Sequence, residues 1–213
     1  MYWGDLSNTK REMLLNEKII SPEKVHKPKA EIFKEPSYVE VVNNRVYFYS
    51  YVGSSEILQL NRRITELNNN LLVDAITQSR EPASIFLHVH SFGGSIFSGL
   101  CGMDEIKNSK VPIVTIVDGC CASAATFLTV VGKKRLIYEN SFMLIHQLST
   151  FFWGKFDEMQ DEHENCTVLM ETIKRIMDKY TKIPSKKINE ILKHDLWFDS
   201  KKCLEYGLVD EII

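Results

Sequence analysis

Apolar and polar positions along the chain change their period several times from about residue 45 onward. The aromatic and β-branched run Val46–Val52 predicts a strand. Apolar residues then recur three and four positions apart, which predicts a helix over Ser54–Gln78 that Asn68–Asn70 interrupts. The later runs predict strands at Ile85–Val89, Val111–Val117, Arg135–Tyr138 and Phe142–Ile145, and helices at Phe97–Lys107, Cys121–Val131, Phe156–Tyr180 and Ser200–Tyr206. Strands that alternate with helices favour an α/β layered fold with parallel pairing.

The helix Phe156–Tyr180 carries a continuous stripe of mostly apolar residues three or four positions apart. At about 1.5 Å per residue it is about 37 Å long, which exceeds what a domain of this size can cover. We therefore expect its far end to pack against another subunit. The alternative is a surface helix that folds back on its own sheet.

Residues 1–40 differ from the rest of the chain. They mix charges with prolines and show little apolar periodicity beyond a short helical pattern around Lys10–Ile19. Forty residues rarely bury enough surface to fold alone, so we expect an N-terminal extension or arm at 1–40 and a single domain at 41–213.

Charge and composition exclude several classes of partner. The net charge is −2, from 26 basic and 28 acidic residues, so bulk electrostatics recruits neither nucleic acid nor an anionic membrane. Met1–Asp5 shows no start of a secretory signal. Asp118 interrupts the apolar stretch Val111–Gly132, and the uncharged remainder is shorter than the ~20 residues of a membrane-spanning helix. Five cysteines without a CxxC pair favour a reducing compartment such as the cytoplasm.

Four stretches contain residues suited to chemistry, although each has a simpler explanation on its own. The Gly93-Gly94 turn follows a strand, but such turns join strands to helices in many proteins. Ser123 begins an apolar helix and could be a packing residue, and His146 could be a hydrogen-bonded residue at a strand end. Asp195 could cap the helix that follows it.

Together these stretches provide each component of nucleophilic catalysis once. A serine nucleophile needs a base to take its proton, an acid to orient the base, and two donors for the oxyanion. Ser123, His146 and Asp195 are of the first three types, and the N–H groups of Gly94 and Ala124 lie at turns or helix starts.

At this point the sequence resembles the proteolytic subunit of the Clp protease (ClpP), a family of serine peptidases. The resemblance covers Arg45–Ile213 and rests on four motifs in order: Gly93-Gly94, Gly119–Ser123, Asn140–Gln147 and Glu205–Asp210. It implies a ClpP/crotonase-like fold of repeated β-β-α layers, with Phe156–Tyr180 as the projecting handle helix through which two rings stack.

The resemblance also implies roles for individual residues. Ser123 would be the nucleophile, His146 the general base and Asp195 the orienting acid, while Gly94 and Ala124 would form the oxyanion hole. Substrate-binding positions would be Gly93, Ser95, Ile96, Gln147, Leu148 and Ser149. The implied activity is endopeptidase cleavage of unfolded polypeptide inside a homo-oligomeric double ring, with no metal and no cofactor.

The sequence departs from the family mainly where partners bind. Leu148–Trp153 replaces the family's Gly-Gly and proline in the strand against which peptide should lie, and His194 replaces a common arginine. The sockets that receive docking loops of an ATPase unfoldase would include Phe86, His88, Asn108, Ile116, Asp118, Leu136 and Tyr138. Polar residues among them predict weaker apolar docking, so we expect a non-standard ATPase partner or none.

Several alternatives remain open at this stage. The chain could be a catalytically silent ring scaffold, a phage-type capsid-maturation protease or a crotonase-type acyl-CoA enzyme. His88 with His90, or Asp161 with His163, Glu164 and Cys166, could suggest a metal, but neither set has a recognised four-ligand spacing. Cys120 and Cys121 are interpreted as buried packing residues.

Overall fold

The computed structural model describes residues 38–213. The eight strands of one sheet are β1 (Tyr38–Val42), β2 (Arg45–Tyr49), β3 (Ile85–Ser91), β4 (Ile113–Ala122), β5 (Lys134–Ile137), β6 (Phe142–Leu144), β7 (Trp197–Phe198) and β8 (Glu211–Ile212). The helices are α1 (Ser54–Thr77), α2 (Ile96–Asn108), α3 (Thr126–Val130), α4 (Phe156–Tyr180), α5 (Ser185–Leu192) and α6 (Ser200–Glu205). A short 3-10 turn, Ser123–Ala125, precedes α3.

The main sheet has the strand order β1-β2-β3-β4-β5-β8. The β1–β2 pair is an antiparallel hairpin, and β2 through β8 along this path pair in parallel. The antiparallel hairpin needs only the tight turn at Asn43, which has φ +55°. The parallel strands need crossover connections, and α1, α2 and α3 supply these and cover the sheet.

Strand β4 changes partner halfway along its length. Its first half pairs with β5 up to Val117, and its second half pairs with β6 from Cys120 onward. The change occurs at Gly119, which has φ +72° and whose N–H donates to Ser141 Oγ (2.8 Å). The end of β4 therefore lies between β3 and the short β6–β7 pair rather than within the main sheet.

Helix α1 is continuous where the sequence predicted an interruption. The three asparagines at 68–70 lie within Ser54–Thr77, and Asn68 is buried. Its Oδ1 accepts hydrogen bonds from the Val111 N–H (2.8 Å) and from Ser109 Oγ (3.0 Å). A tertiary contact thus offsets the poor helix propensity of asparagine at this position.

The predicted helix Cys121–Val131 is wrong over its first half. Strand β4 continues through Ala122 because Cys121 and Ala122 pair with Met143 and Leu144 of β6. Helix α3 begins only at Thr126. Small residues such as alanine and cysteine fit either structure, so strand pairing decides the outcome here.

Other predicted elements occur with small shifts at their ends. The strand predicted over Val46–Val52 ends at Tyr49, and Val52 forms an isolated bridge to Gly94. The expected strand over Leu148–Trp153 is absent, because no strand among residues 38–213 pairs with that segment. Most of the predicted extension 1–40, including the short helix at 10–19, lies outside the described residues. Its last three residues, from Tyr38, belong to β1, where Val39 contributes to the core.

Helix α4 has the predicted bounds and is covered on only part of its length. Ile173, Ile176 and Met177 near its C-terminal end are buried in the core. Near its N-terminal end Phe156 is 76% exposed, and Met159 is also exposed. The first half of the helix therefore projects from the domain, in contrast to a surface helix that folds back on its own sheet.

Arg135 of β5 joins three later parts of the chain. Its guanidinium donates to the carbonyl oxygens of Tyr180, at the end of α4, and of Gly207 (2.8 Å). It also makes a bidentate ion pair with the Asp210 carboxylate, and this pair lowers the pKa of Asp210. This contact attaches α4 and the segment before β8 to the sheet.

No helix among residues 38–213 combines the length and the apolar content needed to cross a membrane. The apolar stretch at 111–132 is divided between β4, the 3-10 turn and α3.

Candidate active site

Ser123 occupies a strained position at the end of β4. Its φ is +58°, a left-handed conformation that only two other non-glycine residues, Asn43 and Ser79, adopt among residues 38–213. Its hydroxyl is buried and has no hydrogen-bond partner within that part of the chain. Strain combined with an unsatisfied buried hydroxyl is common at functional sites, because folding alone favours neither.

The Gly93-Gly94 turn lies directly against Ser123. Two backbone hydrogen bonds to Val52 hold this turn, from the Val52 N–H to Gly93 O (2.8 Å) and from the Ser95 N–H to Val52 O (2.8 Å). Gly93 has φ +100°, and a β-carbon placed on it would lie 2.6 Å from Ser123 Cβ. A side chain cannot be accommodated there, so this close approach requires glycine.

The bonds to Val52 do not use the Gly94 N–H group. Ala124, which follows Ser123 in the 3-10 turn, provides a second backbone N–H beside the hydroxyl. Two backbone donors on either side of a serine can stabilise an oxyanion formed when that serine attacks a carbonyl group.

His146 and Asp195 are hydrogen-bonded, with 2.8 Å between Nδ1 and Oδ1. His146 follows β6, and its side chain is only 19% exposed, whereas that of Asp195 is 76% exposed. Burial lowers the pKa of His146, and the nearby Asp195 carboxylate partly opposes this by raising it. The imidazole is therefore neutral at neutral pH, as a general base must be.

Strand register explains why Ser123 lies near the His146–Asp195 pair. Ala122 pairs with Leu144, and Leu144 pairs with Trp197 in the antiparallel direction. Ser123 and His146 come just after this row of paired residues, and Asp195 comes just before it. Ser123 and His146 line one small cavity, together with Thr126, Phe127, Ile145, Ile173, Met177 and Leu192.

The residues expected to bind substrate lie on two sides of this site. Ser95 caps α2 through a bond from the Ser98 N–H to its hydroxyl (3.4 Å), and the Ile96 side chain is fully buried. Gln147, Leu148 and Ser149 lie in a segment without regular secondary structure and line a groove beside α4. The Gln147 N–H donates to Leu192 O (2.7 Å), and the Leu148 N–H contacts Met170 Sδ (3.1 Å).

Both cysteines next to Ser123 are buried, as predicted from their sequence context. Cys121 is fully buried, and burial raises the pKa of its thiol. A thiol without thiolate character is a poor nucleophile, so Cys121 is a packing residue.

Sequence reasoning missed Val52, whose backbone holds the glycine turn. Its side chain is fully buried and resembles any other core residue in the sequence. No signal in the sequence could have identified it, because its contribution comes only from its N–H and C=O groups.

Comparison with known proteins gives a consistent result. The family model of Clp protease matches residues 42–213. A curated relative, the ATP-dependent Clp protease proteolytic subunit of Deinococcus radiodurans, is 27% identical over 178 residues, which cover 83% of each chain.

The fold comparison agrees with the sequence comparison. The solved structure of a mutant ClpP1 from Listeria monocytogenes has a TM-score of 0.69 and 22% sequence identity. The match covers 80% of this chain and 91% of that chain. The α/β fold of the ClpP type predicted from the sequence is thereby confirmed.

Proposed function

The chain belongs to the Clp protease family, and on that basis we propose that it is a serine endopeptidase that cleaves unfolded polypeptides inside an oligomeric ring. The observation that supports this proposal most directly is the pairing of His146 with Asp195 (2.8 Å), in a site where His146 and Ser123 line one cavity. We propose that the enzyme works in a reducing compartment such as the cytoplasm.

The first chemical step is attack by Ser123. The Nδ1–H group of His146 donates to Asp195, which leaves Nε2 as the basic nitrogen. Nε2 takes the proton of Ser123 Oγ as that oxygen bonds to the carbonyl carbon of the substrate. The N–H groups of Gly94 and Ala124 donate to the oxyanion that forms.

The second half of the reaction restores the enzyme. Protonated His146 gives its proton to the leaving amine, which departs as the peptide C–N bond breaks and leaves an acyl group on Ser123. His146 then takes a proton from water, which attacks the acyl-enzyme. The new peptide carboxylate is released and the serine hydroxyl re-forms.

Substrate binding would use backbone groups on both sides of Ser123. The segment of Gln147, Leu148 and Ser149 has no strand partner among residues 38–213, so an extended peptide can pair with those backbone groups that the bonds to Leu192 and Met170 leave unused. The turn of Gly93, Ser95 and Ile96 would contact the peptide from the opposite side, through backbone groups because the Ile96 side chain is buried.

We propose that the projecting half of α4 packs between two stacked rings. Its exposed apolar residues include Phe156 and Met159, and no other part of the described chain buries them. Burial of such a stripe in a second copy would remove apolar surface from water. Residues 1–37 would form an extension outside the peptidase domain, which begins with β1 at Tyr38 rather than at residue 41.

The face expected to receive an unfoldase carries a polar network. Arg45 donates to Nε2 of His88 (2.8 Å), so Nδ1 of His88 donates to Asp118 (3.2 Å). The hydroxyl of Tyr49 also donates to Asp118. An apolar docking loop would have to displace or cover these groups, at a desolvation cost.

We therefore propose a non-standard ATPase partner, or none. Adding a common Clp unfoldase with ATP is expected to change the hydrolysis rate of fluorescein-labelled casein by less than about twofold. Hydrolysis of a short peptide gives the basal rate without unfolding. Robust stimulation of casein hydrolysis would contradict the proposal.

Fluorophosphonate labelling tests the proposed function directly. An activated Ser123 is expected to displace fluoride and form one phosphonyl adduct per chain, located by mass spectrometry of the peptide that contains Ser123. His146→Gln keeps the serine but removes the base, so its labelling is expected to fall to the level of heat-unfolded protein. An assembled wild-type ring without an adduct, or with the adduct on another serine, would refute the assignment.

A further inference from the structure

Phe92 and Trp197 make an aromatic contact between two parts of the site that are distant in sequence. Their ring centroids lie 6.2 Å apart with an interplanar angle of 89°, the edge-to-face geometry that aromatic pairs prefer. Both side chains are largely exposed, at 67% for Phe92 and 43% for Trp197. Two exposed apolar rings thus contact each other close in sequence to the proposed catalytic residues.

The two residues border the groups proposed to catalyse the reaction. Phe92 directly precedes Gly93, in the turn that provides the first oxyanion donor. Trp197 follows Asp195 by one intervening residue and pairs with Leu144, just before His146. The ring contact therefore connects the turn with the strand that carries the orienting acid.

Backbone hydrogen bonds also hold these two parts in place. The glycine turn is held by two bonds to Val52 and by a bond from the Gly93 N–H to Ser91 Oγ (3.1 Å). Strand β7 contains only two residues, and Asp195 next to it is mostly exposed. A two-residue strand is weak by itself, so a side-chain contact at its first residue restricts where Asp195 can lie.

Phe92 itself is supported from the other side. Its ring also contacts the ring of His90, with centroids 6.2 Å apart and an interplanar angle of 80°. Nδ1 of His90 lies 2.7 Å from the carbonyl oxygen of Asp118, so Nδ1–H donates to β4 and fixes this ring. Phe92 therefore lies between an anchored imidazole and Trp197.

We propose that Phe92 and Trp197 are positioning residues, whose contact holds the oxyanion turn and the Asp195–His146 pair in one arrangement. This inference rests on the proposed function. Neither residue reacts with substrate. Because they act by holding the catalytic groups in place, their effect is on the rate of the chemical step rather than on substrate binding. Loss of either ring allows the turn and the acid to move independently.

The test is a double-mutant cycle in the full chain with Phe92→Ala, Trp197→Ala and the double variant. Each single variant is expected to lower kcat for a fluorogenic peptide and the rate of fluorophosphonate labelling by about twofold to tenfold, with KM within about twofold. The double variant is expected to be no slower than the slower single variant. Phe92→Tyr and Trp197→Phe keep a ring and are expected to restore most of the rate.

Phe97→Ala is the matched control, because Phe97 is an exposed phenylalanine on α2 outside the proposed machinery. It is expected to leave kcat unchanged. Size-exclusion chromatography is run on every variant at the assay concentration.

Three results would overturn the inference. The first is that the losses in kcat of the two single variants multiply in the double variant. The second is that each loss in kcat matches the fraction of oligomer that has dissociated. The third is that KM rises while kcat is unchanged. Wild-type protein that is not labelled at Ser123 would refute the proposed function and this inference together. Wild-type labelling at Ser123 with an unchanged rate in Phe92→Ala would refute this inference alone.

Discussion

Replacing Ser123 with alanine is expected to lower kcat for peptide hydrolysis by about 10⁶-fold, to the background rate. The hydroxyl is the only group lost. Because it has no hydrogen-bond partner among residues 38–213, no hydrogen bond of the fold is broken. The new residue keeps the β-carbon at φ +58°, and backbone strain therefore remains the same. The variant is expected to assemble like wild type in size-exclusion chromatography.

Ser98→Ala is the matched control for this experiment. Ser98 is also buried, but it lies in α2 and its hydroxyl contacts Ser54 Oγ (3.3 Å) outside the site. It is expected to retain wild-type turnover. Peptide hydrolysis by Ser123→Ala at a wild-type rate would exclude Ser123 as the nucleophile.

Asp195→Asn is expected to lower kcat by about 10³- to 10⁴-fold. The amide can donate to Nδ1 of His146 and so favours the tautomer whose Nε2 carries the proton. That tautomer cannot accept the proton of Ser123. The variant keeps Ser123 and its environment, so the loss reports on the base alone.

The pH profile provides a second measurement on the same variant. In the proposed mechanism only neutral His146 is active, and burial lowers its pKa below the ordinary value of about 6.5. The acid limb of wild-type kcat/KM is therefore expected below that pH. The Asp195 carboxylate raises this pKa, hence its removal lowers the pKa further and moves the acid limb to lower pH. Activity would then be lost only at more acidic pH than in wild type.

Asp104→Asn is the control for both measurements, since Asp104 is an exposed aspartate of α2 away from His146. It is expected to change neither kcat nor the acid limb. A full rate in Asp195→Asn, or an acid limb moved to higher pH, would contradict the role given to Asp195.

Sequence periodicity predicted some elements far better than others. The bounds of α4, Phe156–Tyr180, agree with the prediction because its stripe extends over the whole helix. The helix predicted over Cys121–Val131 failed, since Cys121 and Ala122 take their conformation from strands β3 and β6. Local pattern cannot reveal pairing with residues that lie far away in sequence.

The same distinction applies to the candidate site. Residue types and family resemblance together pointed to Ser123, His146 and Asp195. The row of paired residues that brings them together depends on the register of β4, β6 and β7, which no local pattern encodes. The Phe92–Trp197 contact was missed for the same reason, because it joins the turn after β3 to strand β7, which is far away in sequence.

The contacts of Arg135 have a consequence for the order in which the protein folds during synthesis. Arg135 leaves the ribosome before its acceptors at Tyr180, Gly207 and Asp210, and β5 leaves before its edge partner β8. Asp195 also follows Ser123 and His146. Until these later residues arrive, the edge of β5 is uncovered, and the serine and imidazole lack their orienting acid. Under the proposed mechanism, a nascent chain that exposes unfolded segments of itself would therefore not cut them until its fold is complete.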